Sequence, residues 1–349
     1  MYDKVTNIHL EPTTKCNARC PQCPRNVFGS SLLSPDLTEV DFSVEEAKQI
    51  FSDPFYNNIN FVSVNGTSGD IVMHSEAEMF MAYIISRFPN IELHTNGGAK
   101  GKDFWISLAK PNVRVEFGID GLEDTHHLYR RNTRFDTVIK NAKTYIDAGG
   151  NATWMMTVFK HNEHQIEMCK SMSKELGFKN FVARPSTRFE SSGYYPVVDK
   201  NYNIEYWLEQ THHELFYGKN SKQNDKENAK KFWLDKLKAD PFLLQGFGNN
   251  VIIDDKVDCF SKKNNSIFIT AKKEITPCCW ISNPYDKNYK NLFNRLCKKY
   301  NIENTFNNLL VNNVEDILKG ELFKILDNNF KINKNFKVCS INCSIANKT

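Results

Sequence analysis

Between residue 7 and about residue 190, short apolar runs alternate with stretches whose apolar residues recur every three or four positions. The short runs are Ile8–Glu11, Asn60–Val64, Ile91–Thr95, Val113–Ile119, Trp154–Phe159 and Phe181–Arg184. They have the length and the β-branched or aromatic content of buried strands. The stretches between them predict helices. Ser43-Val44-Glu45-Glu46 is a capping box that opens one through Phe51. Asp136 to Ala148 places Val138, Ile139, Ala142, Tyr145 and Ile146 on one face, and Gly149-Gly150 stops it. Glu163 to Leu176 does likewise with Ile166, Cys169 and Leu176. Such alternation predicts an α/β fold with a parallel sheet and right-handed crossovers, whose chemistry sits at the carboxyl ends of the strands.

Further along, the pattern changes. Residues 196–250 are polar and read mostly as helix, with Trp207, Phe216, Phe232 and Trp233 as apolar anchors. They are expected to form a helical bridge and a candidate substrate wall. In 251–349, the run Ser266–Thr270, a turn at Ala271–Glu274 and Ile275-Thr276 predict a β-hairpin flanked by cysteines. Three units follow: a core over 1–195, the bridge over 196–250, and a Cys-rich hairpin-plus-helix extension over 251–349.

The chain has 349 residues, with 45 basic and 41 acidic ones. That near-balance calls for no nucleic-acid partner. No apolar run reaches membrane-span length, and the N-terminus lacks a signal-peptide pattern. Ten cysteines without an export signal therefore read as metal or redox residues in a reducing, cytoplasmic setting. Cys169 and Cys297 fall on apolar helix faces and are expected in the core.

Three cysteines stand out. Cys16, Cys20 and Cys23 form a C-x3-C-x2-C loop directly after the first strand. Three thiolates this close can hold three irons of a [4Fe–4S] cluster and leave the fourth iron open to a ligand. A zinc site with His9 as fourth ligand is the other reading of the same residues. Other strand ends carry candidate chemistry. Gly69-Asp70 follows the second strand, in a turn where backbone can approach a ligand. Thr95-Asn96-Gly97 ends the third, and Asp120 follows the fourth. Tyr129-Arg130-Arg131-Asn132 reads as either an active-site segment or a solvated basic loop. Arg184 ends the sixth strand, where a guanidinium clamps a carboxylate or makes a surface ion pair. His161 and His164 read as solvated rather than functional.

The cysteine loop and its preceding strand resemble the radical S-adenosylmethionine (radical SAM) superfamily. The residue before the third cysteine, usually aromatic there, is Gln22. The resemblance implies a partial (β/α)6 barrel. It also implies a [4Fe–4S] cluster on Cys16, Cys20 and Cys23 that binds SAM, cleavage of SAM to a 5′-deoxyadenosyl radical, and hydrogen abstraction from substrate. Gly69, Asp70, Thr95, Asn96, Gly97, Asp120 and Arg184 would bind the cofactor, and Arg130 would stand beside the active site. The C-terminal cysteines resemble the SPASM or twitch auxiliary-cluster extension, with Lys273 where its pattern has glycine. Cys259, Cys278, Cys339 and Cys343 would then hold a second [4Fe–4S] cluster, although a tetrathiolate zinc site needs the same ligands. Cys279 would be the spare thiol and a candidate hydrogen donor, or an alternative to Cys278.

The expected function is oxidation or epimerisation of a small polar metabolite, with a flavodoxin- or ferredoxin-like electron donor. The alternative is peptide or protein maturation by side-chain oxidation, thioether formation or carbon–carbon crosslinking. Many peptide-modifying members carry an extra N-terminal domain, and a cluster strand starting near residue 7 tilts the expectation to the small molecule. A non-enzymatic iron–sulfur electron carrier is the remote third reading.

Overall fold

The computed structural model describes residues 4–35, 37–189, 193–212, 216, 226–239, 252–254, 257–281, 298, 301, 303, 305–331, 334–336, 339 and 343. The expected strands form with boundaries moved by a few residues at most. They are β1 (Asn7–Leu10), β2 (Phe61–Val64), β3 (Ile91–Thr95), β4 (Val113–Gly118), β5 (Asn151–Val158) and β6 (Asn180–Pro185). All five neighbouring pairs run parallel, in consecutive order. Between them lie helices including α1 (Val44–Phe51), α2 (Ala77–Arg87), α3 (Lys102–Ser107), α4 (Glu123–Tyr129), α5 (Phe135–Asp147) and α6 (Ile166–Glu175). One face of the sheet packs on these helices. Val62, Val64, Leu93, Val115, Phe117, Trp154 and Met156 are all essentially inaccessible there. The other face carries polar residues in rows across the strands. His94, Glu116 and Thr153 stand opposite one another in register, as do Ser63, Glu92 and Arg114.

The capping box forms as read. Ser43 Oγ accepts from Glu46 N–H at 3.2 Å, and a Glu46 oxygen accepts from Ser43 N–H at 2.9 Å. Cys169 is fully buried in the main core, whereas Cys297 lies outside the described residues.

Two features differ from the sequence reading. The bridge opens on an antiparallel hairpin, β7 (Tyr194–Val198) and β8 (Ile204–Glu209), instead of helix. Its tyrosines, valines and isoleucine form a pleated, half-buried ribbon, so packing overrides the polar average. A helix over Lys226–Ala239 follows. The C-terminal hairpin forms between β10 (Ser266–Ile269) and β11 (Ile275–Thr276), but it is no separate appendage. β10 pairs in parallel with β1, matching Asn7 with Ser266 and Leu10 with Ile269. The sheet thus has eight strands in the order β11-β10-β1-β2-β3-β4-β5-β6. A further two-stranded pair joins β9 (Ile252–Asp254) and β12 (Lys334–Phe336). The extension therefore lies along β1, beside the loop that carries the first three cysteines.

Candidate active site

The cysteine loop sits above the carboxyl ends of the strands and is held from several sides. Arg25 is 3% exposed and donates to the Thr14 carbonyl and to Glu39. Asn132 Nδ2 donates to the Asn17 carbonyl at 2.7 Å, and Arg19 N–H to the Arg131 carbonyl at 2.8 Å. The segment Tyr129–Asn132 is thus part of the site rather than a solvated loop. Tyr129 is buried against Phe159, with ring centroids 4.5 Å apart. Arg131 pairs with Glu205 of β8 at 2.5 Å.

The bridge covers this loop. Cys20 packs in a second core with Val27, Phe28, Tyr129, Phe159, Leu208 and Trp233. The Trp233 indole N–H donates to the Tyr194 carbonyl at 2.6 Å, and Tyr206 donates to the Leu128 carbonyl at 2.6 Å. The result is an apolar cover that buries Cys20 and packs against Cys16 and Cys23.

Burial raises the thiol pKa of all three cysteines, of Cys20 to about 11, and they also act on one another. Two donors aim at their sulfurs. Asn96 Nδ2 lies 3.6 Å from Cys16 Sγ, and Arg130 Nη1 lies 3.9 Å from Cys20 Sγ. Three cysteines grouped on one loop, Cys20 buried and Cys16 and Cys23 half-buried, with N–H donors on two of the sulfurs, fit an iron–sulfur cluster. His9 does not join it: its Nε2 is 2.6 Å from the Asn65 carbonyl and its ring leans on Phe268.

The strand-end residues converge on the same place. Gly69 lies where a Cβ would come within 1.8 Å of the Thr13 carbonyl, so only glycine lets this turn meet the start of the cysteine loop. Asp70 is buried and accepts from Val72 N–H, Thr95 Oγ1, Asn96 N–H and Asn96 Nδ2 at 2.7–3.2 Å. Its carboxylate thereby orders Thr95-Asn96-Gly97 and aims Asn96 at Cys16. Asp120 is 0% exposed. It accepts from Thr157 N–H at 2.5 Å and from Arg130 Nε at 2.6 Å, so it anchors the guanidinium that faces Cys20. Arg184 is exposed, opposite Thr157 in register, and acts electrostatically on Glu92.

The two histidines of the β5–α6 turn part company. His164 is exposed, while His161 is half-buried and stacked on Phe159, with burial lowering its pKa to about 4.

The C-terminal cysteines also gather. Cys278 is raised by burial and then by Cys279, Cys339 and Cys259, and Cys339 by burial and then by Cys259 and Cys343. Asp258 N–H donates to the Cys343 carbonyl at 2.9 Å, which joins the ends of this set. Cys279 raises the neighbouring Cys278. Its own thiol is raised to about 11, by burial and then by Glu11, and lowered by Arg188.

Sequence reasoning missed three residues here. Gln22 is buried; its Oε1 accepts from Ser186 Oγ at 2.6 Å and its Nε2 donates to the Arg188 carbonyl at 2.8 Å. Arg188 Nη1 donates back to the Gln22 carbonyl at 2.9 Å. The only signal was the polar residue before the third cysteine.

Residues 10–172 match the family model described as the radical SAM superfamily. This stretch, just under half of the chain, is similar to the radical SAM superfamily, whose domain uses a [4Fe–4S] cluster and SAM. Among curated proteins, it is 26% identical over 176 residues to the antilisterial bacteriocin subtilosin biosynthesis protein AlbA of Bacillus subtilis (strain 168). That match covers 49% of this chain and 37% of the relative, so the chain spans little more than a third of the relative's length. The solved structure of native anSMEcpe with bound AdoMet is similar at a TM-score of 0.52 and 14% identity, covering 94% of this chain and 84% of that one. The same protein with AdoMet and the Cp18Cys peptide gives 0.50 and 13%, with the same coverage. These structures share the fold. Among the described residues, no helix is long and apolar enough to cross a membrane.

Proposed function

We propose that this protein is a radical SAM enzyme that modifies a peptide. Cys16, Cys20 and Cys23 would hold the SAM-binding [4Fe–4S] cluster, and Cys259, Cys278, Cys339 and Cys343 a second one. When bound, these groups supply one-electron reduction of SAM and a 5′-deoxyadenosyl radical that takes a hydrogen atom from substrate. The chain's own residues hold and shield them. Asn96 and Arg130 donate to the sulfurs; Asp70 and Asp120 fix those donors; residues of the bridge pack over Cys20. Gly69, Thr95, Gly97 and Arg184 lie around the same strand ends and would line the SAM pocket.

The observation that carries the reading is the cysteine trio, with Cys20 buried and Cys16 and Cys23 half-buried, and two N–H donors on its sulfurs. The peptide substrate rests on the likeness to a bacteriocin biosynthesis protein and on a shared fold with a peptide-bound structure. It replaces the small metabolite favoured by sequence alone. Cys279 is the spare thiol beside Cys278, under the influence of Glu11 and Arg188, and would be a candidate hydrogen donor to a substrate radical.

Anaerobic reconstitution with iron and sulfide tests the cofactors. About 8 irons per chain, falling to about 4 when Cys16, Cys20 and Cys23 are replaced by Ala, is the expected result. No iron in the wild-type chain would sink the reading. For the substrate, 5′-deoxyadenosine release is measured with dithionite and a set of short synthetic peptides. Release above the peptide-free rate, with two hydrogens lost from the peptide by mass, is expected. Stimulation by sugars alone would return the small-molecule reading.

A further inference from the structure

Arg188 follows β6 and belongs to no motif. Three bonds tie its segment to the cysteine loop: Ser186 Oγ to Gln22 Oε1, Gln22 Nε2 to the Arg188 carbonyl, and Arg188 Nη1 to the Gln22 carbonyl. The last acceptor is the carbonyl of the Gln22–Cys23 peptide bond. The guanidinium is thereby fixed one residue from a cluster ligand. Its positive charge acts on Cys23, on Tyr129 and on Cys279. The residue is otherwise exposed toward the open side of the site. It differs from Arg130, whose charge is matched by the buried Asp120. Among the described residues, no salt bridge joins Arg188 to a carboxylate.

We propose that Arg188 is a positioning residue that raises the reduction potential of the cluster on Cys16, Cys20 and Cys23. This rests on the cluster assignment above. Reduction adds one electron to the cluster, breaks no bond, and makes it more negative by one charge. A fixed cation beside a sulfur ligand stabilises that reduced form more than the oxidised one. The Gln22 side chain fixes the segment that carries Arg188: an aromatic residue in its place could make neither side-chain bond, although its main-chain carbonyl would remain.

The test is a redox titration of the reconstituted full chain with dithionite, followed by electron paramagnetic resonance, after iron content has shown that the cluster is loaded. Arg188→Gln should lower the equilibrium constant for one-electron reduction about tenfold, a shift of about 59 mV to more negative potential. Arg188→Lys keeps the charge and should stay within about twofold of wild type. Gln22→Met removes the two side-chain bonds that hold the Arg188 segment but keeps the main-chain carbonyl that the guanidinium meets, so it should move the potential in the same direction as Arg188→Gln by a smaller amount. An unchanged potential in Arg188→Gln overturns the proposal, as does an equal shift in the Lys and Gln variants, which would assign Arg188 to bonding alone. If Arg188→Gln does not fold, Arg188→Ala decides: an unmoved potential there overturns it. Failure of the wild type to load iron would instead remove the cluster assignment itself.

Discussion

Arg130 and Asp120 form an ion pair, Nε to Oδ2 at 2.6 Å, directly beneath the cysteine loop. The carboxylate is fully buried, and the guanidinium's remaining reach goes to Cys20 Sγ. Burial opposes charging Arg130, and Asp120 is the largest influence restoring it, so its pKa stays above the ordinary arginine value. Asp120→Ala leaves this cation buried without its partner. Breaking such a pair costs about 3–5 kcal/mol. Chemical denaturation of the cluster-free protein should show that loss. A loss below about 1 kcal/mol would mean that water already serves the guanidinium.

His94 and Glu11 predict opposite kinds of pH response from their charge, yet the same direction of stability change. Burial alone would lower the His94 pKa. Hydrogen bonds to Glu116 and Glu92, each at 3.0 Å, outweigh it and raise the group to about 9. Its contribution is fully present below the unfolded value near 6.5 and is lost as pH rises through about 9. Burial raises Glu11 to about 7, against backbone N–H groups led by Ser68. The neutral acid suits the fold, so stability is highest below about 4.5 and falls as pH rises through about 7. Denaturation midpoints taken from pH 5 to 10 should decline in two stages. Glu11→Gln should flatten the first and His94→Gln the second. A wild-type profile that rises across pH 5–7 and is unaltered by Glu11→Gln would refute the assignment of Glu11.

Much of this fold was legible because strand and helix periods are local. β3 matches its sequence range residue for residue, and the Ser43–Glu46 box is written in four consecutive residues. The C-x3-C-x2-C spacing of Cys16, Cys20 and Cys23 was legible for the same reason. What sequence hid was long-range. Nothing in Ser266–Ile269 says that it pairs with Asn7–Leu10, more than 250 residues earlier. Nor does the Gln22 side chain announce partners at Ser186 and Arg188. Asp70 and Asp120 read as ligand-facing carboxylates from their strand-end positions. Only the packed structure shows how many protein donors each already serves.

Glu46 and Lys273 carry a second long-range link, and it explains a substitution in the hairpin turn. Lys273 adopts φ 64°, the left-handed region that suits glycine. Its Nζ lies 2.9 Å from Glu46 Oε1, and the pair is largely sheltered. The strain costs about 1 kcal/mol, and a partly buried pair of this kind returns up to about 1 kcal/mol. Lys273→Gly should therefore be close to neutral in the wild type. In a Glu46→Gln background, which keeps a capping acceptor but removes the charge, the same change should stabilise by about 0.5–1 kcal/mol. Thermal or urea denaturation of the four proteins closes the cycle. Equal effects of Lys273→Gly in both backgrounds would show that the ion pair does not offset the turn.

Gly118 ends β4 directly under Arg130. A Cβ there would lie 2.3 Å from Arg130 Nη2 and 2.6 Å from Cζ. A free arginine would swing away at little cost, but Asp120 holds this one, so the methyl group must displace the guanidinium from Cys20 or strain the ion pair. Gly118→Ala should destabilise by about 1–3 kcal/mol, the usual range for overpacking, and should weaken iron retention after reconstitution. Gly101→Ala is the control, since a Cβ there meets nothing within 4 Å, and it should stay within about 0.5 kcal/mol. The route through Arg130 is checked by pairing each change with Arg130→Ala. If the clash acts through the guanidinium, Gly118→Ala should cost little once Arg130 is gone. Full additivity of the two changes would place the cost of the methyl group elsewhere in β4.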